Sequence, residues 1–322
     1  MRIAIVGSGI SGLVTAYLLS EEHEIVVYEA NDYIGGHTHT IDGPVNGKTY
    51  AIDTGFIVFN ENTYPNFINL MTRLGVSWQP SSMSFSVQCE RTGLYFCPSS
   101  LNSMFAQRRN LFHPSFYRML TDALRFRREA SELMETDDYS ITLAEYLETK
   151  NYGPYFIDNF IIPMGGAIWS ADPVQFKEFP ARYLVEFFNN HGVLNIHHQP
   201  QWLVIKGGSS QYIDPLTQPF QDGIRLGMPV SSVKRFEDRV EITSKGETES
   251  FDQVVLAAHS DQALRMLADP TDLENDILSV IPYQENVAVL HTDATLMPKK
   301  KIAWASWNYH IPKEETGRVA LT

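Results

Sequence analysis

The chain opens on a short apolar, β-branched run, Arg2-Ile3-Ala4-Ile5-Val6, followed at once by Gly7-Ser8-Gly9-Ile10-Ser11-Gly12. A G-x-G-x-x-G placed between an apolar run and a helical pattern predicts a buried strand that turns tightly into a helix. That helix continues through Leu13, Val14, Ala16, Tyr17, Leu18 and Leu19. Its first turn, which carries Ser11, gathers unpaired N–H groups and the positive end of the helix dipole, and so suits a pyrophosphate. Gly7 serves the tight turn, Gly9 the close approach of a phosphate, and Gly12 the packing of helix on strand. A second strand, Glu24 to Tyr28, ends in Glu29, at the distance where a carboxylate accepts hydrogen bonds from a ribose. Together they predict a dinucleotide site.

Further features favour FAD over a nicotinamide cofactor. Gly35 and Gly36 follow Glu29 closely, and paired glycines let a second backbone segment approach the ligand. No Arg follows Glu29 to meet a 2′-phosphate. Ala51-Ile52-Asp53-Thr54-Gly55-Phe56 ends a strand with small, open backbone that fits against a flat ring.

These motifs resemble the N-terminal signature of flavin-containing amine oxidase-like proteins, which include monoamine oxidases, protoporphyrinogen oxidases and carotenoid desaturases. The chain looks most like a bacterial subgroup of FAD-dependent oxidoreductases, some of whose genes accompany cyclopropane-fatty-acid synthases. Six stretches carry that likeness. They are Gly35-Gly36-His37-Thr38-His39-Thr40, Asp53 to Asn60, Thr63-Tyr64-Pro65-Asn66-Phe67, Ser82 to Val87, Pro163 to Ser170, and Trp304 to Tyr309.

The resemblance implies an α/β fold. A Rossmann-type FAD-binding lobe with a parallel sheet, like that of glutathione reductase, is interrupted by an α+β substrate lobe, with the catalytic cleft between them. On this reading residues 1–62 and 205–268 form the FAD lobe, and 63–204 and 269–322 the substrate lobe. Gly36, His37 and Thr38 are expected near the phosphates and the flavin-proximal end of FAD, with Thr54, Gly55 and Phe56 bordering the ring. The backbone around Val230 lies by the adenine. His37 stands where many relatives carry Arg. The implied activity takes a hydride equivalent from an amine or a hydrophobic C–H to the flavin, then passes electrons to oxygen or another acceptor. The alternative is FAD bound without net substrate oxidation, as a flavin-dependent isomerase, accessory subunit or binding module. Members of the family usually close with a strand and a glycine-bearing turn that starts a helix aimed at the flavin. Here Gly317 to Thr322 ends without that motif, which implies a partial chain lacking part of the flavin site.

Bulk properties narrow the partners. The 322 residues are 43% hydrophobic and 20% charged, as in a globular protein with a sizeable core. A net charge of −13 argues against nucleic acid. The first strand begins directly after Met1, leaving no room for a signal peptide, and no apolar run approaches a membrane span, so a cytoplasmic protein acting on a small molecule is expected. Cys89 and Cys97 flank a predicted hairpin turn, where a disulfide is sterically conceivable but two reduced thiols are the better reading.

Along the chain, Thr63 to Leu74 reads as a helix closed by Gly75, and Ser82–Gln88 with Leu94–Cys97 as a hairpin. Asp138 or Ser140 is placed to start a helix through Thr149. Ile213 to Phe220 reads as a short helix, and Phe251–Ala258 as a buried parallel strand. Asn286–Leu290 and Ala303–Tyr309 read as strands of the second lobe. Trp169, Trp304, Trp307 and Tyr309 are more readily core than cavity wall. Arg118, Arg125 and Arg128 share a helix face with interleaved Glu129 and Glu132, the pattern of a solvated, salt-bridged face. His37-x-His39 and His197-His198 lack the spacing of a ligand set, so no metal is expected.

Overall fold

In the computed structural model of the chain, which describes residues 1–195, 200–314 and 320–321, the opening motif forms a strand, a turn and a helix in a parallel sheet. The strand β1 (Arg2–Val6) leads into the helix α1 (Ile10–Leu19), and β2 (Glu24–Tyr28) returns in parallel beside β1. Strand Gln253–Leu256 flanks β1 on the other side, and Ile224–Arg225 flanks β2, both parallel. The period-2 side chains Ala4, Val6, Val26 and Tyr28 cluster with Val233, Val240, Ile242 and Phe251 of an antiparallel sheet, Val230–Arg235, Val240–Ser244 and Glu247–Phe251. Gly12, Leu13 and Ala16 form the buried face of α1. A hairpin of β3 (Thr40–Val45) and β4 (Lys48–Asp53) turns through Asn46 and Gly47, both at positive φ, as a two-residue hairpin loop prefers.

Contacts group these elements in one unit, Met1–Val58, Asn66–Gln79 and Val204–Leu290. Two segments that the sequence reading assigned to the substrate lobe are grouped here instead. The helix α2 (Pro65–Leu74), closed by Gly75 at positive φ, carries Arg73 over the Tyr17 ring at 5.2 Å and against Glu21 at 3.1 Å. Helix Asp272–Leu278 is tied through Glu274 to Arg235 at 2.6 Å. These ties join elements far apart in sequence and leave no local signal. Strand Gln253–Leu256 is half-buried rather than buried, because it is the last strand of its sheet.

The second unit comprises Phe59–Pro65, Pro80–Leu203 and His291–Thr322. Its hairpin, Phe85–Cys89 with Leu94–Phe96, is joined in parallel by Trp307–Ile311. Helices Pro114–Glu129, Leu143–Thr149, Ile162–Trp169 and Ala181–Asn190 enclose a core rich in phenylalanine, including Phe96, Phe116, Phe156, Phe176 and Phe188. Leu143–Thr149 is capped by Thr142 and Glu145 in a reciprocal capping box, not by Asp138 or Ser140. The Asp138 carboxylate instead accepts from the Ser140 N–H and hydroxyl. Cys89 pairs in register with Leu94, so Cys97 lies beyond Phe96 and does not face it; both thiols are free and buried.

Asn286–Leu290 forms no strand and belongs to the first unit, with Val287 and Val289 exposed; its alternating pattern has no ladder partner among the described residues. The strand expected over Ala303–Tyr309 begins only at Trp307, after a 3-10 turn, Lys301–Ala303. Trp169 packs on Phe187 with centroids 4.6 Å apart, and Tyr309 is buried, so both belong to the core. On the arginine face, Arg125 meets Asp122 and Glu129 and lies over the Tyr152 ring, and Arg128 meets Glu129. His197 and His198 lie outside the described residues. No cluster of metal-ligating side chains occurs among those described.

Candidate cofactor site

The site is built from backbone first. Gly7 takes φ +103°, and a Cβ there would overlap the Ala257 carbonyl. A Cβ on Gly12 would fall on the Gly7 carbonyl, with the Ala257 methyl at 3.3 Å. Both glycines are therefore required by the protein's own packing. Gly9 differs: a Cβ there would meet nothing within 4 Å. It stands before the first residue of α1, and no side chain caps that helix. Ser11 lies exposed in the first turn, which holds no acidic residue. An uncapped helix N-terminus opening on free space offers unpaired N–H groups suited to an anion.

The second glycine pair closes on this turn. Gly35 donates its N–H to the Ser8 carbonyl at 3.0 Å, and Gly36 packs so near Gly9 that a Cβ would come within 3.2 Å of the Gly9 Cα. Both adopt positive φ, +117° and +58°. Glu29, at the end of β2, is buried; its carboxylate accepts from Ser8 and from the Asn31 N–H. Gly227 and Met228 donate their N–H groups to the Asn31 and Glu29 carbonyls at 2.7 Å, which brings the half-buried Val230 alongside this strand end.

Beyond Gly36 the chain folds onto β4. The Phe56 N–H donates to the His37 carbonyl at 2.8 Å, and Gly55 lies so close to that carbonyl that only glycine fits. His39 Nδ1 meets the Thr54 hydroxyl at 2.7 Å. Thr38 is buried, its hydroxyl bonded to the Tyr212 phenol, which burial pushes above its ordinary pKa. Phe56 packs edge-on to Phe67, and Phe67 edge-on to Tyr212.

All thirteen residues anticipated from the sequence, from Gly7 to Val230, thus lie in the first unit, on the turns at the carboxyl ends of β1 and β2 and the segments bonded to them. Sequence reasoning missed Ser8, Tyr212 and His259. Ser8 lay inside the glycine motif itself. His259 follows the parallel strand Gln253–Leu256 at its carboxyl end, the edge where open α/β sheets bind ligands. Its ring lies 6.3 Å from that of His37 at 16° between planes, and stacks on Tyr283 at 4.3 Å and 6°.

Residues 10–308 match the profile of the flavin containing amine oxidoreductase family. A flavin-dependent L-tryptophan oxidase of Lentzea aerocolonigenes is 23% identical over 272 residues, covering 75% of this chain and 54% of that protein. A 15-cis-phytoene desaturase of Synechococcus elongatus is 30% identical over 188 residues, 54% of this chain and 38% of that one. The solved cyclohexylamine oxidase from Brevibacterium oxydans shares the fold at a TM-score of 0.66 and 20% identity, over 86% of this chain and 62% of its own. The chain thus matches 54%, 38% and 62% of the lengths of these three proteins, less than two thirds of each. The match covers both units of the fold, and the chain belongs to the flavin containing amine oxidoreductase family, whose cofactor is FAD.

Proposed function

We propose that this chain holds FAD on the turns after β1 and β2 and acts as an FAD-dependent oxidoreductase, taking a hydride equivalent from an amine or a hydrophobic C–H donor. The observation that carries the reading is the free space at Gly9, bounded by an uncapped helix N-terminus and by Gly36. It fits a diphosphate, with Gly7 and Gly12 shaping the turn and Ser11 in the first helical turn. Glu29 is spaced for a ribose, Val230 for the adenine, and Thr38, Thr54, Gly55 and Phe56 for the flavin end. FAD, when bound, supplies a ring that accepts a hydride equivalent and later releases the electrons to an acceptor. The chain's own contribution would be to bind and orient: the α1 N–H groups would hold the phosphates, and Phe56, braced on Phe67, would border the ring.

Membership of the subgroup associated with cyclopropane-fatty-acid synthases is part of this proposal and rests on the six matching stretches. A lipid-like donor follows from it and competes with an amine. Action in a reducing, cytoplasmic compartment suits two free, buried thiols.

The test is an absorbance spectrum of the purified chain, followed by identification of whatever heat releases. Flavin bands and released FAD are expected; a colourless chain that ignores added FAD overturns the reading. Anaerobic bleaching of the flavin by one member of an amine and fatty-acid panel would name the donor class. A flavoprotein that converts a lipid without ever bleaching would instead support the isomerase alternative.

A further inference from the structure

We propose that His37 and His259 form a paired-imidazole subsite for the cofactor's diphosphate, and that FAD binding takes up protons there. This rests on the FAD site proposed above. The two residues adjoin the Gly9 turn through different segments of the chain. His37 directly follows Gly36, which packs on Gly9, and His259 follows Ala257, which packs on Gly7 and Gly12. Their rings come together near-parallel, 6.3 Å apart, and both side chains are solvent-exposed. His259 is held in place: Tyr283 stacks on it face to face, and the Tyr283 phenol oxygen accepts the Ser260 N–H at 2.9 Å.

Charge gives the pair its role. No Lys or Arg occurs between Arg2 and Lys48, or between Lys245 and Arg265, the stretches that build the cradle. The chain as a whole carries −13. A diphosphate arriving here meets a helix dipole, backbone N–H groups and imidazoles, with Glu29 and Asp32 nearby in sequence. Of the basic groups near the pair in sequence, Arg265 is engaged by Asp261 at 2.7 Å, and His39 is bonded to Thr54 with the Tyr33 ring tilted against it at 4.9 Å. A dianionic ligand raises the affinity of both rings for protons, so by linkage the imidazolium form retains FAD better.

The sign is definite. Retention is strongest below the pKa of the rings in the complex and is lost as pH rises through it. The experiment follows the rise of free-FAD fluorescence after dilution of the flavin-loaded protein, with tryptophan emission reporting the fold. Release is expected to be about tenfold or more faster at about pH 8 than at about pH 6. His259→Asn and His37→Asn should each weaken that contrast, and the double variant should release flavin at the same, faster rate at both pH values. A weakly buffered sample should also turn alkaline when FAD is added. Equal release at both pH values, or a double variant that keeps the contrast, overturns the proposal. A chain that retains no FAD at any pH overturns the site reading, and this inference with it.

Discussion

Glu29 and Ser8 hold each other twice: Glu29 Oε2 accepts the Ser8 backbone N–H at 2.9 Å and the Ser8 hydroxyl at 2.6 Å. Both residues are buried. The carboxylate that follows β2 therefore also fixes the turn between β1 and α1 and ties the two strand ends together. Its other oxygen accepts the Asn31 N–H at 2.9 Å. A carboxylate offers about four acceptor positions, so capacity remains for a ribose hydroxyl.

Glu29→Gln separates the two duties. One carboxylate oxygen becomes an NH2, which cannot accept, so the buried Ser8 N–H or the part-buried Asn31 N–H loses its partner, at a cost of about 1–3 kcal/mol where it is Ser8. Thermal melting should fall, and FAD affinity should weaken by about tenfold or more as the ribose contact loses its charge. Ser8→Ala, which removes only the hydroxyl, should lower stability with a smaller effect on affinity. Wild-type melting and flavin affinity in Glu29→Gln would remove Glu29 from the site.

The legible part of the site is the part written in backbone geometry. Gly7, Gly12, Gly35 and Gly36 mark places where a Cβ would strike a carbonyl or a crossing chain, so glycine appears in the sequence itself. Glu29 was legible because the length of α1 fixes its distance from Gly7. The meeting of His37 with His259, more than two hundred residues on, leaves no local trace. Nor does the attachment of α2 through Arg73. Asn286–Leu290 misled for the converse reason: alternation suggests a strand, but strands need partners, and alternation says nothing of those.

Gly9→Val and Gly12→Val should fail in different ways. Nothing in the protein occupies the space at Gly9, so valine there leaves the fold intact and fills the cradle; the purified variant should melt like the flavin-free wild type and retain no FAD. Valine at Gly12 drives into the Gly7 carbonyl and the Ala257 methyl, so that variant should lose its cooperative melt. Circular dichroism melting with flavin content by fluorescence separates the two outcomes. A yellow Gly9→Val protein would contradict the cofactor assignment.

Acid should weaken the first unit through Glu249. Arg225, Tyr28 and Arg2 bond its carboxylate, which holds its pKa down at about 2. Burial pushes the Tyr28 phenol up to about 12, so it remains a donor throughout. A depressed carboxylate contributes stability above its unfolded pKa, and that contribution drains as pH falls from about 4.5 towards 2. Solvent screening at a side chain 32% exposed limits it to about 1–2 kcal/mol at neutral pH. Urea melts of wild type and Glu249→Gln should differ by that amount near neutrality and converge by about pH 2. A gap independent of pH would mean that packing, not charge, holds this corner.

Gly165 poses the opposite question, whether a glycine in a matched motif serves a ligand or the core. It lies in helix Ile162–Trp169, and a Cβ there would land inside the Phe176 ring. That ring cannot retreat, since Trp169 and Phe179 pack on it with centroids 5.7 and 5.6 Å away. Gly165→Ala should therefore destabilise by about 1–3 kcal/mol or more through overpacking. It should leave the flavin retention of the folded fraction unchanged. Phe176→Leu alone should also destabilise, by loss of packing, yet combined with Gly165→Ala it should restore part of the stability, because the added methyl fills the space vacated. A double-mutant cycle in urea should then show favourable coupling of about 1 kcal/mol. Additive losses would mean that the two residues do not share that space, and the motif would have to be read as a ligand contact instead.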